Sequence, residues 1–295
     1  MQAIIFVHTS SFIPKYLLRS LESARVFNPE MPILLITDLP SSAFKHLNVE
    51  TISLDLLETE GHKEFLRIYT HFSKNKVKHE RFCFSRWFYI NECIRQRKIT
   101  QCVHLDSDCM LFSPIVSFFD RFGSSNMAVS REGSPHCSFI TGSLDKLTDL
   151  IVASFKNPEF FGWVKAERLN LSDMTLITEY IEKYDGGIVY TDMPLGGIID
   201  CNINCSDGFQ MRFNRKRVYW KNEEGMRIPY LKCIDDGSLQ RALALHYQGG
   251  HSKRWSSRFN RYSHTKWPMF LRKTIAIPVT LFYNIFQSHR LKPFR

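Results

Sequence analysis

The chain opens on an unbroken apolar run, Ala3-Ile4-Ile5-Phe6-Val7, and the absence of alternation predicts a strand over 3–9 buried on both faces. Ser10 and Ser11 then precede Pro14, which suits the first turn of a helix. Leu17, Leu18, Leu21 and Ala24 recur at helical spacing, so 14–27 reads as that helix. Pro32 introduces a second apolar strand, Ile33 to Thr37, ending at Asp38, and Val49 to Asp55 reads as a third strand of alternating character. Helices are expected over 64–74 and 85–97. The second sets Phe84, Trp87, Phe88, Asn91 and Ile94 near one side and leads through Arg97-Lys98 into the strand Cys102-Val103-His104-Leu105.

Farther on, Pro114 breaks the chain, Phe118-Phe119 begin a short packed segment, and Met127 to Ser130 reads as a strand. Helices are expected over 143–156 and 172–183, with Ser172 as a cap for the latter. Gly186-Gly187 and Gly196-Gly197 mark turns. The stretch 198–238 is polar, aromatic and irregular, with short strands such as 216–220, and Leu243 to Gln248 forms the last strand. Apolar strands alternating with helices predict an α/β fold, a Rossmann-type mixed and mostly parallel sheet flanked by helices. Ligands of such sheets sit at the carboxyl ends of strands, where His8, Thr9, Asp38 and Asp55 are expected to lie.

Composition narrows the class. At 295 residues and 44% apolar, the chain can bury one large core or two small ones. No run reaches the roughly 18 consecutive apolar residues of a membrane span. The start carries no basic region and no small-residue cleavage site, so a secretory signal is not expected. Eight cysteines without a Cys-x-x-Cys pair read as reduced thiols in a cytoplasmic protein. The net charge of +10 is carried wholly by the segment from Lys253 to Arg295, which has ten Lys or Arg and no acidic residue. That shift places a boundary near 252. The same segment holds Trp255, Phe259, Tyr262, Trp267 and Phe270, a mixture suited to an anionic membrane surface on the cytoplasmic face. A helical cap with a solvated basic face is the alternative. Nucleic acid is not an expected partner, because no recognition motif accompanies the charge.

Chemistry enters with Asp106-Ser107-Asp108 at the end of the Cys102–Leu105 strand. Chance alone supplies about 0.7 such triplets in a chain with 14 Asp, so the setting decides its meaning. In an extended chain alternate side chains point the same way, and the two carboxylates would share one hard cation. Such a cation neutralises a diphosphate. A second segment, His246-Tyr247-Gln248-Gly249-Gly250-His251-Ser252-Lys253-Arg254-Trp255, supplies a strand-end imidazole, glycines that permit close backbone approach, and a point charge for phosphate.

The order of these features resembles the GT-A-fold glycosyltransferases. The late segment is similar to the family-8-type pattern His-x-x-Gly-x-x-Lys-Pro-Trp. It is matched by His246, Gly249, Lys253 and Trp255, with Lys253 one residue later and Arg254 in place of the proline. The resemblance implies a nucleotide-binding half over about 1–112, an acceptor half over about 113–252 and a basic aromatic extension over 253–295. It implies a nucleotide-sugar donor, commonly a UDP-sugar, with Mn²⁺ or Mg²⁺, and a glycan acceptor; a tail seated on a membrane would make a lipid-linked acceptor the expectation. Asp106, Asp108 and His246 would hold the metal, and Asp106, Gly249 and Lys253 would face the diphosphate. Arg86, in Ser85-Arg86-Trp87, matches a helix arginine near the phosphates, and His8, Thr9 and Asp38 sit where base and ribose bind. Asp173 resembles the acceptor-side carboxylate, a general base in inverting enzymes and an orienting group in retaining ones; alone, it would simply favour the helix dipole. Two other functions use parts of this pattern: an Asp-nucleophile phosphohydrolase, and a non-catalytic sugar-binding or membrane-associated protein on the same frame.

Overall fold

The computed structural model describes residues 1–119, 121–122, 125–167, 170–184, 187–190 and 195–256. Its first half contains β1 (Gln2–Val7), α1 (Lys15–Phe27), β2 (Ile33–Ile36), β3 (Glu50–Ile52), α2 (Glu60–Ile68), α3 (Val77–Arg97), β4 (Gln101–Leu105) and β5 (Cys109–Leu111). There follow α4 (Val116–Phe119), β6 (Met127–Val129), β7 (Cys137–Thr141), α5 (Asp145–Lys156), α6 (Pro158–Ala166), α7 (Asp173–Tyr184) and β8 (Gly187–Val189). Last come β9 (Ile198–Ile199), β10 (Val218–Glu223), β11 (Met226–Lys232), β12 (Leu239–His246) and α8 (Gly250–Ser256).

The main sheet has the order β3-β2-β1-β4-β7-β6-β8. Its first four strands are parallel, β7 runs antiparallel to both neighbours, and β8 returns parallel to β6. Helices cover both faces, which is why β1 reads as continuous apolar sequence. Ala3, Ile5 and Val7 pack with Trp87 and Phe88 of α3, Leu147 of α5 and Leu176 of α7, while Ile4 and Phe6 pack with Leu17 and Leu21 of α1. A second, antiparallel sheet, β10-β11-β12-β5, stands beside the first, with β9 paired to β12. Phe27, Phe112, Ile228 and Leu245 fill the core under it.

Several expected elements shift. The third strand ends at Ile52, and a 3-10 turn over Leu54–Leu57 takes up its tail. Helix α2 begins four residues earlier than the apolar spacing indicates, because Thr59 caps it by accepting the His62 N–H at 3.2 Å. Helix α3 starts at Val77, eight residues ahead of the expected 85, since its first two turns are largely polar. Helix α6 and strand β7 escape the apolar pattern altogether. The start of α6 is nonetheless written in Asn157-Pro158, where Asn157 accepts from the Glu159 N–H and Pro158 occupies the first turn. In the stretch 198–238, expected to be irregular, 200–217 holds turns and bends, while 218–232 is the hairpin of β10 and β11, whose solvent-facing residues break the apolar alternation. Gly197 lies against β12, where a Cβ would stand 2.7 Å from the Arg241 carbonyl oxygen. Helix α8 runs across 252, and 257–295 lie outside the described residues. All eight cysteines are free thiols, and no described helix is long and apolar enough to cross a membrane.

His62 is buried among Phe65, Phe88 and Tyr89, with Nε2 2.9 Å from Ser85 Oγ. Burial, and then Arg81, pushes its pKa down to about 4. The folded protein therefore declines a proton that the unfolded chain accepts below its ordinary pKa of 6.5. The stability linked to His62 is complete above that value and is lost as the pH falls toward 4. Urea unfolding between pH 7 and pH 4 should show this loss, up to about 3 kcal/mol. In His62→Gln the slope should be shallower by about one proton, and an unchanged slope would contradict the assignment.

Candidate functional site

The site forms where the two sheets meet. β1 and β4 are paired in register, Phe6 opposite Leu105, so His8 and Asp106 emerge from the same end. Asp106 does not continue the strand. The Cys109 N–H donates to the Asp106 carbonyl at 2.9 Å, closing a reverse turn over 106–109. The two carboxylates therefore converge through a turn, and strand alternation is not what brings them together. After the turn, β5 pairs antiparallel with β12, Cys109 opposite His246, and the Tyr247 N–H donates to the Asp108 carbonyl at 3.0 Å. This pairing brings the late imidazole to the early carboxylates.

One ligand atom from each of Asp106, Asp108 and His246 lies within 4.8 Å of the other two. His246 Nε2 is 3.4 Å from Asp108 Oδ1 and 4.0 Å from Asp106 Oδ2. Donors bound to one ion at about 2.1–2.2 Å stand about 3.0 Å apart when adjacent and about 4.3 Å when opposite, so the spacing fits a shared divalent cation. The His246 ring is oriented for this role. Its Nδ1 lies 2.6 Å from the Cys201 carbonyl oxygen, leaving Nε2 toward the carboxylates, and His136 stacks on it at 4.8 Å with planes 3° apart.

Charge is concentrated here. Burial opposes ionisation of Asp106, but Arg86, His104 and His246 hold its carboxyl well below the usual range. Asp108 is likewise lowered against burial, by His246 and Lys253. His246 is raised by the two aspartates despite its own burial. Lys253 reaches in from α8, with Nζ 3.0 Å from Asp108 Oδ2 and 4.5 Å from the Tyr16 ring centre. Gly249, at φ +83°, makes the left-handed step that starts α8. His8 sits beside the turn with Nδ1 3.1 Å from Ser107 Oγ, and burial followed by Lys253 lowers its pKa to about 4, so it is neutral at pH 7.

Arg86 is buried and forked between two elements: Nη1 donates to Asp106 Oδ1 and Nη2 to Asp173 Oδ2, both at 2.6 Å. Trp87 Nε1 adds a third bond, to Asp173 at 3.0 Å. The expected residues His8, Arg86, Asp106, Asp108, Asp173, His246 and Lys253 thus form one connected cluster. Thr9 and Asp38 are exposed at the ends of β1 and β2, and Asp38 Oδ1 accepts from the Leu54 N–H at 3.3 Å.

Four further side chains take part. His104 lies 3.6 Å from Asp106, and its place two residues before Asp106 in the sequence is a usable signal. His136 has no local signature. Asp200 and Lys216 form a buried pair at 2.5 Å, with Lys216 also 2.5 Å from Asp207, and Asp200 Oδ2 accepts from the His246 backbone N–H at 3.4 Å. Burial pushes Asp200 up even beside Lys216. The pair thus serves to satisfy a buried carboxylate that holds His246 in place.

No family model and no curated protein sequence matches the chain. Solved structures do. An active-site mutant of LgtC aligns with a TM-score of 0.50 and 11% identity over 92% of this chain and 99% of that one. Mouse xyloside xylosyltransferase 1 in its apo form gives 0.46 and 12% over 69% and 87%, and the Streptococcus pneumoniae TIGR4 glycosyltransferase GlyE gives 0.41 and 15% over 64% and 45%. The chain thus spans less than half the length of GlyE. The fold shared with LgtC, along nearly the whole of both chains, is the GT-A fold.

Two outcomes are expected. Asp108→Ala and His246→Ala should each lower Mn²⁺ affinity by at least about tenfold with the fold intact, read from the electron paramagnetic resonance of free Mn²⁺; unchanged affinity would remove the metal assignment. Lys216→Met should cost about 3–5 kcal/mol in urea unfolding, because it strands Asp200 as an unpaired buried charge.

Proposed function

We propose that the protein is a divalent-metal-dependent glycosyltransferase that takes a nucleotide-sugar donor, a UDP-sugar, and glycosylates a glycan or lipid-linked acceptor. The observation that carries this reading is the convergence of Asp106, Asp108 and His246 at the carboxyl end of a GT-A sheet, with the ammonium of Lys253 on Asp108. Two carboxylates and an imidazole suit Mn²⁺ better than Mg²⁺, which prefers an all-oxygen shell. When bound, such an ion stabilises the charge that develops on the leaving diphosphate. The late His-x-x-Gly and Lys253 favour a family-8-type arrangement.

The protein's own groups have separate tasks. Asp106, Asp108 and His246 hold the ion. Lys253 supplies a second positive charge on the diphosphate side, strengthened by its burial. Arg86 is engaged by Asp106 and Asp173, and we assign it to fixing the orientation of Asp106. Asp173 receives both Arg86 and Trp87 on one oxygen, which favours an orienting role over that of acceptor base. Neutral His8, with Thr9 and Asp38, lies where base and ribose would be recognised. The basic, aromatic residues after α8 are suited to an anionic membrane surface, and a cytoplasmic membrane face is the setting in which a lipid-linked acceptor would be met.

A panel of nucleotide-sugars should raise the unfolding temperature only with Mn²⁺ present, by an amount equivalent to about 2.7 kcal/mol at a hundredfold excess over Kd. The stabilising donor should also release nucleoside diphosphate slowly without acceptor, and Asp108→Ala should abolish both effects. Turnover of a generic phosphate ester in place of the donor would instead favour phosphohydrolase chemistry, and donor binding without diphosphate release on any acceptor would favour a sugar-binding protein.

A further inference from the structure

On the opposite side of Arg86 from Asp106, a second set of ligating side chains gathers between α3 and the first residue of α7. Glu80, Cys83 and Asp173 each present one atom within 4.8 Å of the other two. Residues 80 and 83 fall on one stripe of α3. His79 occupies the same region, its Nε2 3.8 Å from Cys83 Sγ, and it is exposed while Glu80 is buried.

The charge balance of this cluster is incomplete. Glu80 is only 1% exposed, yet the donors to its carboxylate are neutral: Ser73 Oγ at 2.8 Å and Asn75 Nδ2 at 2.7 Å. Among the described residues it forms no ion pair. Asp173 is served by Arg86, but Arg86 also serves Asp106. Asp173 thus shares its one guanidinium with Asp106, and the buried Glu80 has none, in a setting where an uncompensated carboxylate is costly. Burial, then Asp173, pushes the Cys83 thiol far up, so it is no nucleophile at neutral pH.

We propose that Glu80, Cys83 and Asp173, with His79 closing the fourth position, form a second metal site, for a borderline-soft divalent cation of the Zn²⁺ type. Sulfur at about 2.3 Å and nitrogen or oxygen at about 2.0–2.1 Å from a tetrahedral ion stand about 3.3–3.8 Å apart. On binding, side-chain rotation would draw the three atoms, now within 4.8 Å of one another, and the His79 nitrogen, now 3.8 Å from the sulfur, to that spacing. The thiolate separates this site from the Asp106–Asp108–His246 centre, which has no sulfur and suits a harder ion. On binding, a metal–sulfur bond forms and the thiol proton passes to solvent, with no change of oxidation state. The exposed His79 gives an entry path. A cation here would supply the missing charge and tie α3 to the start of α7.

The test uses Co²⁺ on the metal-stripped full chain, because thiolate coordination produces a near-ultraviolet charge-transfer band that an oxygen and nitrogen site lacks. The band should saturate within two equivalents in the wild type, which has both sites, and at one equivalent in Asp108→Ala, which disables the first. It should vanish in Cys83→Ser, while Glu80→Gln should weaken Co²⁺ binding by at least about tenfold. Absence of the band in the wild type, or its persistence in Cys83→Ser through another cysteine, would overturn the proposal. Should Cys83→Ser fail to fold, the surface variant His79→Asn decides: a weaker, altered spectrum supports the site, and an unchanged one refutes it.

Discussion

One buried guanidinium organises the centre of this molecule. Arg86 extends from α3 between the turn that ends β4 and the first residue of α7, and its two terminal nitrogens bond to different carboxylates. The planar fork of arginine allows this division; a lysine ammonium would offer a single point of attachment. The bonds to Asp106 and Asp173 set the position of Arg86, since its Nε is buried with no hydrogen-bond partner among the described residues. Taking the arginine away would leave two carboxylates in the interior, a loss on the order of 3–5 kcal/mol for a broken buried pair. The orientation of Asp106, the seating of α7 and the packing of Trp87 beneath β4 all depend on this one residue.

The surrounding histidines act through position as much as through charge. His104 Nδ1 lies 3.2 Å from the Ile5 carbonyl oxygen, which directs its other nitrogen toward Asp106. His136 stacks flat on His246, and burial followed by His246 lowers its pKa to about 3, so it remains an uncharged wall beside a charged centre. Lys216 supports the same centre from farther away, through Asp200 and the backbone of His246. The polar groups form a connected set in which a change at one member propagates to the next.

Much of this is legible in the sequence, for identifiable reasons. Strands β1 and β2 are covered on both faces, so they appear as unbroken apolar runs, and α1 and α5 carry clear apolar faces. The paired aspartates and the late histidine stand out in the sequence, and the fold brings the three side chains together. What escapes depends on tertiary pairing. β10 exposes Lys221 and Asn222 and β11 leaves Arg227 half-buried, so their sequence resembles loop. His136 and Lys216 gain meaning only from what folds against them. Even the aspartate pair has a different local geometry from the one its spacing predicts, since a turn and an extended strand both bring alternate residues to one side.

The antiparallel pairing of β5 with β12 also bears on how the chain acquires its activity. It joins Cys109 to His246, near the two ends of the described sequence after β4. A contact of such large sequence separation carries a high loop-closure cost and forms late unless other structure has already brought its strands together. During synthesis the parallel strands β1 to β4 can assemble while the ribosome is still producing the rest of the chain. The centre itself cannot close until β12 has emerged. Nascent chains therefore pass through a stage with the sheet built and Asp106 and Asp108 in place, but without the imidazole that completes their site.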